Sequence, residues 1–284
     1  YYIIMKLFEC VPNFSEGRDD VLIKEIVQAV RACKVLDVHS DPDHNRSVVT
    51  FVGDQDKVRR GAVELAERAF QLLDLREHEG VHPRIGVVDV VPFIPLEETG
   101  ATMKEAVKIA HQTGKEICKR FDVPIYFYDF AATSENKRSL PFIRKGGAPD
   151  LGSGRNPHHG AVAVGARSFL IAFNVNLKTA DMDYARSIAK NIREKDGGLP
   201  GVRALGLALR SRGITQVSIN IVDHKETGLL AVFDQVKMWA KEYGVEILES
   251  ELVGMIPKSA VFQGMRDYLH LKYFTENSII ETKI

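Results

Sequence analysis

His82 and Arg84 flank a proline at the mouth of an almost wholly apolar stretch, Val81–Pro95 (VHPRIGVVDVVPFIP). A titratable ring beside a guanidinium, fixed at the start of a rigid element, is a candidate acid or base next to an anion clamp. Pro83 removes a backbone donor and pushes His82 out of the helical region, so the histidine should stand extended at the entrance of a strand. Read alone, it is more simply a loop histidine that precedes a strand. Ile85–Val91 has one charged residue, Asp89, and reads as a strand buried on both faces. Alternation along that strand puts His82 and Arg84 on one side and Asp89 on the other. Asp89 is then expected to be a buried structural carboxylate with a partner of its own.

Three more polar segments fall at strand or loop ends: Asn13–Arg18, His39–Arg46 and Arg155–His159. They add bases, carboxylates and guanidinium groups, with Asn13, His39, Asp41, Asn45 and Arg46 as candidate binding residues. His39, Asp41, Asp43 and His44 cluster, and His158 and His159 could add nitrogen ligands to a metal. Adjacent histidines in a turn rarely point at one ion, and no HExxH or CxxC spacing accompanies them, so no metal is expected. Cys10 lies in an apolar strand and reads as a small core residue, and no GxSxG elbow exists. The glycine-rich loop Gly152–Gly160 lacks the lysine of a phosphate-binding loop, and GVRALG has no acidic partner to make it a dinucleotide fingerprint. What remains is acid/base chemistry on a bound organic substrate.

The elements that must position these groups follow one order twice. Leu7–Pro12 reads as a strand, Ser15–Asp20 as the cap of a helix through about Cys33, Val35–Val38 and Ser47–Val52 as strands, and Asp56–Leu73 as an amphipathic helix before the Ile85 strand. Met103–Phe121 is a further helix and Pro124–Tyr128 a short strand. A long irregular region, Ala131–Gly160, follows, containing GGAPDLGSGRNPHHG. Such a segment inside a compact protein is more often functional than accidental. The pattern then restarts. Leu170–Leu177, Val202–Leu209, Thr215–Val222 and Val245–Val253 read as strands, with helices at Asp181–Glu194 and Leu229–Tyr243. Strand, helix, strand, strand, helix, strand, repeated, suggests an α+β fold of two ferredoxin-like (βαββαβ) subdomains.

In such a unit the first and third strands are neighbours. Asn174 and Asn176 would then share an open face with Gln216, Ser218 and Asn220, opposite the apolar residues that pack on the helices. A solvated face would explain them, but such faces favour Lys, Glu and Thr over paired asparagines. The alternative is a binding surface lining a cleft between the two sheets, where amides read a polar heterocycle.

The 284 residues suffice for one large or two ordinary domains, and 45% hydrophobic with 27% charged residues is a soluble globular composition. With 38 basic against 38 acidic residues, nothing points to nucleic acid or an anionic membrane. Cys10, Cys33 and Cys118 form no close-spaced pair, which points to a reducing, cytoplasmic compartment. Tyr1–Ile4 is too short for a signal peptide and precedes Met5, a candidate native start, and no transmembrane stretch is seen.

ECVPNFSEGRD (Glu9–Asp19), DPDHNRSV (Asp41–Val48), HPRIGVVDVVPFIP (His82–Pro95), GAVAVGARSFLIAFNVNL (Gly160–Leu177) and VSINIVDHKETGL (Val217–Leu229) together resemble the glutamate formiminotransferase family. The resemblance runs from about Lys6 past Pro257. It implies transfer of a formimino group from N-formimino-L-glutamate to tetrahydrofolate, late in histidine breakdown. It also implies N-terminal (1–167) and C-terminal (168–284) subdomains with the folate between them, and a homodimer. In animals the domain is fused to a cyclodeaminase, for which this chain is too short. By its HPR context His82 matches the family's catalytic histidine. The family's folate-binding loop matches Gly152, Ser153, Gly154, Arg155, Asn156, Pro157, His158, His159 and Gly160. Here RNPHHG stands where an aromatic, serine-rich loop is expected, and His39 stands where the animal enzymes carry an acidic residue.

The implied chemistry fits the residues. A histidine of ordinary pKa, about 6.5, can take a proton from folate N5 and then pass one to the glutamate nitrogen. The reacting amidine carbon is cationic, so a carboxylate should stand near it, with Asp41 or Asp43 as candidates. The substrates' carboxylates want guanidinium forks, for which Arg46, Arg84 and Arg155 are placed. Rival readings are formyl transfer on folate, hydrolysis of formiminoglutamate, and folate binding without turnover.

Overall fold

The computed structural model describes residues 5–154 and 156–284; Tyr1–Ile4 and Arg155, an expected folate contact, lie outside them. The chain divides into two compact units, one through Ser168 and one from Phe169.

In the first unit, Phe8–Cys10 (β1) and Asn13–Phe14 (β2) are halves of one strand interrupted at Pro12, running two residues past the expected end. Asp19 accepts hydrogen bonds from the backbone N–H groups of Val21 and Leu22 and so starts α1 (Asp20–Gln28). That helix stops well short of Cys33, and the following strand is correspondingly longer: β3 is Lys34–Asp41. β4 (Arg46–Gly53) leads to Asp54, whose side chain caps α2 (Gln55–Leu72) at the N–H of Lys57. β5 is Val88–Pro95, buried along its whole length. A capping box of Thr102 and Glu105 opens α3 (Met103–Phe121), and Asp122 closes it in the left-handed conformation at φ 52°. β6 (Ile125–Asp129), α4 (Leu140–Arg144) and β7 (Val162–Ala166) complete the unit.

β3, β4, β1/β2 and β5 lie side by side in that order and are antiparallel. β7 and then β6 extend the sheet beyond β5 as parallel strands. β7 joins without a sequence signal because it is a short run of small residues. Its Gly165 is required by packing, since a Cβ there would fall 2.5 Å from the Tyr128 ring. α1, α2 and α3 bury their apolar stripes with Phe8, Cys10, Phe51, Val88 and Phe93 on one face of the sheet. On the other face Ile143 of α4 packs with Ile85, Val90, Tyr126 and Ala163.

The second unit comprises β8 (Ile171–Leu177), α5 (Met182–Ile192), β9 (Val202–Leu209), β10 (Ile214–Ile221), α6 (Leu229–Glu242), β11 (Ile247–Val253) and a short α7 (Met265–Tyr268). Its strands run β11, β8, β10, β9, all antiparallel, so the unit's first and third strands are neighbours as expected. The first four strands of the other unit have this same order. Phe173, Val175, Val217 and Ile219 bury against Ile188 and Phe233 of the helices. Asn174, Asn176 and Gln216 point the opposite way. Among the described residues no helix is long and apolar enough to cross a membrane.

Candidate active site

Directly paired residues of an antiparallel sheet point to the same side. His39 pairs with Val48, Val48 with Asn13, Asn13 with Val90 and Asp41 with Arg46. Asn13, His39, Asp41 and Arg46 therefore share the face opposite α1–α3, and Arg46 at the start of β4 meets His82 there. A guanidinium nitrogen of Arg46 lies 2.8 Å from His82 Nε2. Guanidinium has no acceptor, so Nε2 accepts and the ring proton sits on Nδ1. Nδ1 is buried with no hydrogen-bond partner. The His44 ring stacks beside it, centroids 5.8 Å apart and planes 24° apart. Burial, reinforced by Arg46, Arg144, His44 and Arg84, holds the His82 pKa well below the usual histidine value. The ring is thus neutral in the free protein, and the ordinary pKa expected of it does not hold.

Asp89 faces the arginines, not the side that alternation along its strand predicts. Strict alternation from Ile85 fails because the regular strand begins only at Val88 and because β5 bulges at Asp89, where Asn13 pairs with Val90 and Phe14 with Val88. A bulge re-aims a side chain. The Asp89 carboxylate accepts from the Ile85 N–H at 2.7 Å and from Arg144 Nη2 at 2.6 Å, and its charge acts on Arg46 and Arg84. It is the partnered buried carboxylate expected, but on the side where it was not expected. Burial lowers the pKa of Arg46 and of Arg84 to about 10, which leaves both charged at neutral pH. Asp41, a candidate counter-charge, accepts from the His44 N–H at 2.7 Å and also acts on Arg46. The Asp43 carbonyl accepts from the Val81 N–H at 3.1 Å.

Arg84 and Asn45 brace the loops that carry these groups. Arg84 donates to the carbonyls of His44 (2.8 Å), Asn45 (3.1 Å) and His82 (3.0 Å), tying the entrance of β4 to His82. Asn45, at φ 46°, accepts from the Gly17 N–H at 2.9 Å and donates to the Glu79 carbonyl at 2.8 Å. Asn13 donates to the Val11 carbonyl at 3.1 Å.

The glycine-rich loop is seated on the same strand entrance. Gly160 has φ +72°, and a Cβ on it would fall 2.2 Å from the Ile85 carbonyl oxygen, so only glycine allows this approach. The Asn156 side chain accepts from the N–H groups of His158 and His159, 3.0 Å each, closing the turn around Pro157. His158 Nδ1 lies 3.0 Å from Asp74 Oδ2, and His159 Nε2 lies 3.1 Å from the Phe70 carbonyl with its ring against Phe70. Both rings are thus engaged just past or within the last turn of α2 rather than with the arginine cluster. Gly152, Ser153 and Gly154 are exposed.

On β8 and β10, Asn176 is opposite Gln216 and Asn174 opposite Ser218. Ser218 is half-buried, and Asn220, opposite Ala172, is exposed. Two carboxylates not expected from the sequence complete this face. Glu251 Oε1 accepts from Asn174 at 3.0 Å and Gln216 at 2.8 Å, and Glu249 from Asn176 at 3.4 Å and Arg212 at 2.7 Å. The signal was their period-two spacing on the strand that neighbours β8. Arg144 was also passed over, and had no signal of its own. Among the described residues no three His, Cys, Asp or Glu side chains converge as they would around a metal ion.

Family models place residues 7–167 in the formiminotransferase domain, N-terminal subdomain, and residues 172–283 in the formiminotransferase domain. The chain is 38% identical over 298 residues to a glutamate formimidoyltransferase of Thermoplasma acidophilum, covering 99% of this chain and 98% of that protein. It is 37% identical to one of Streptococcus pyogenes, covering 95% of each. A formimidoyltransferase-cyclodeaminase of Sus scrofa is 40% identical over 93% of this chain and 52% of its own length.

Proposed function

The chain belongs to the formiminotransferase family, and on that premise we propose that it transfers the formimino group of N-formimino-L-glutamate to tetrahydrofolate, giving 5-formiminotetrahydrofolate and L-glutamate. The reaction belongs to histidine degradation. Tetrahydrofolate is its co-substrate, and the chemistry needs no metal. Residues 1–167 and 168–284 are read as the two formiminotransferase subdomains, and the strand order they share supports taking each as ferredoxin-like. A cytoplasmic homodimer with small-molecule substrates only, no nucleic acid and no membrane, completes the reading.

The observation that carries the mechanism is the neutral His82 held by Arg46. Folate N5 attacks the amidinium carbon, and the new C–N bond leaves a protonated N5 on a tetrahedral carbon that bears three nitrogens. His82 takes that proton and returns it to the glutamate nitrogen. The C–N bond to glutamate then breaks, and the amidinium charge reappears on the folate. Nε2 is the basic nitrogen, so Arg46 must give it up to the substrate. A carboxylate arriving at Arg46 provides the exchange. Guanidinium groups cannot be the counter-charge of a cationic amidine; Arg46 is read as holding a substrate carboxylate, whereas Arg84, expected to do the same, has its donors spent on the carbonyls of His44, Asn45 and His82. Asp89 or Asp41 balances the reacting centre. Asn13, His39 and Asn45, the loop from Gly152 to Gly160, and Asn174, Asn176, Ser218 and Asn220 are the substrate-contacting and substrate-shaping residues of this reading.

Product analysis with and without tetrahydrofolate tests it. Glutamate should appear only when folate is present, together with 5-formiminotetrahydrofolate in equal amount. Glutamate released without folate makes the protein a hydrolase, and folate binding with no product makes it a binding protein.

A further inference from the structure

Asp89 receives the Ile85 N–H on one oxygen and a single nitrogen of Arg144 on the other. A residue present only to neutralise Asp89 would spend both arms of its fork on it. Arg144 does not, and its Nε is buried with no hydrogen-bond partner. His82 Nδ1, which bears the ring proton, is likewise buried and unpartnered. Arg144 is firmly placed, because the adjacent Ile143 packs against Ile85 and Val90 on this face of the sheet. Its charge acts on both His82 and Arg46. Arg84 cannot serve as the fork, since its donors are spent on three backbone carbonyls. Arg46, Arg84 and Arg144 together outnumber Asp89 and Asp41, so the cluster carries excess positive charge beside two unspent buried donors.

We propose that Arg144, held by Asp89 and acting with Arg46, binds a carboxylate of the amino-acid donor and so selects a dicarboxylate. The inference rests on the transferase reading above and adds to it the group that recognises the donor. A carboxylate at this point would draw Arg46 off His82 Nε2 and seat the formimino carbon near the freed nitrogen.

Two variants test this without stranding a buried charge. Arg144→Lys keeps the pairing with Asp89 but loses the fork. The paired Asp89→Asn/Arg144→Met variant removes both charges. Calorimetric binding of glutarate, a dicarboxylate that cannot react, is measured alongside steady-state kinetics. In the paired variant the glutarate Kd and the KM for formiminoglutamate should rise about 10- to 100-fold, and the KM for tetrahydrofolate should stay within about twofold. The Arg144→Lys variant should show the same split, to a smaller degree. An unchanged glutarate Kd in either variant, or an equal rise in both KM values, overturns the proposal. A wild type that binds glutarate through Arg144 yet transfers nothing refutes the transferase reading and leaves the carboxylate site standing. A wild type that transfers, with variants that keep the donor's KM, refutes the site alone.

Discussion

His82 has one ring nitrogen engaged by a guanidinium and the other buried without a partner. That makes its basicity a property of the bound state. Burial and the surrounding charges of Arg46, Arg144, His44 and Arg84 depress its pKa in the free protein. The neutral base therefore persists as pH falls through the ordinary histidine range. Because kcat/KM reports the free protein, it should show no acid limb near pH 6.5, a value about that of an unperturbed histidine. On the proposed mechanism, substrate carboxylates offset the guanidinium charge and raise the pKa, so the acid limb of kcat should lie at higher pH than that of kcat/KM. Paired pH profiles check this; a kcat/KM limb at the ordinary histidine value contradicts it.

At the scale of elements, the site depends on loops held by unusual braces rather than on any single strand. Arg84 joins the carbonyls of His44, Asn45 and His82, and Arg84→Met leaves all three without that donor. Urea unfolding should show a loss of about 1–3 kcal/mol, with transfer slowed as Arg46 and His82 lose their register. An unchanged midpoint would mean that the brace is idle. α3 was legible to the residue because capping box, apolar period and left-handed terminus agree locally. The β8–β10 amide face was legible because strand order and alternation suffice to bring Asn176 to Gln216. The turn of Asp89 toward the arginines was not, since a bulge is fixed by the partner strand and not by the strand's own sequence. Arg144 was hidden in a helix of five residues, too short to show a period, within a glycine-rich stretch. The acids of β11 escaped because what they bond lies on strands distant in sequence.

For the whole molecule, histidines kept neutral by partial burial contribute to the response to acid. His78, His82, His111, His159 and His224 all have pKa values lowered by burial, His78 to about 4. The unfolded chain binds protons at these rings more readily than the folded one. Their contribution to stability is therefore complete above the unfolded pKa, about 6.5, and is lost as pH falls through it toward the folded values. The urea midpoint should be lower at about pH 5 than at about pH 7.5, before carboxylate protonation sets in. Equal midpoints would contradict it. Light scattering tests the proposed homodimer, for which a monomer mass is the contrary result.

In the proposed mechanism His82 carries the proton between the two nitrogens, and the formimino-transfer rate of His82→Ala, measured with tetrahydrofolate binding on the same preparation, puts that role to the test. Loss of about 100- to 10,000-fold in rate with folate affinity retained is the predicted result. A variant that binds folate and transfers at the wild-type rate would contradict it.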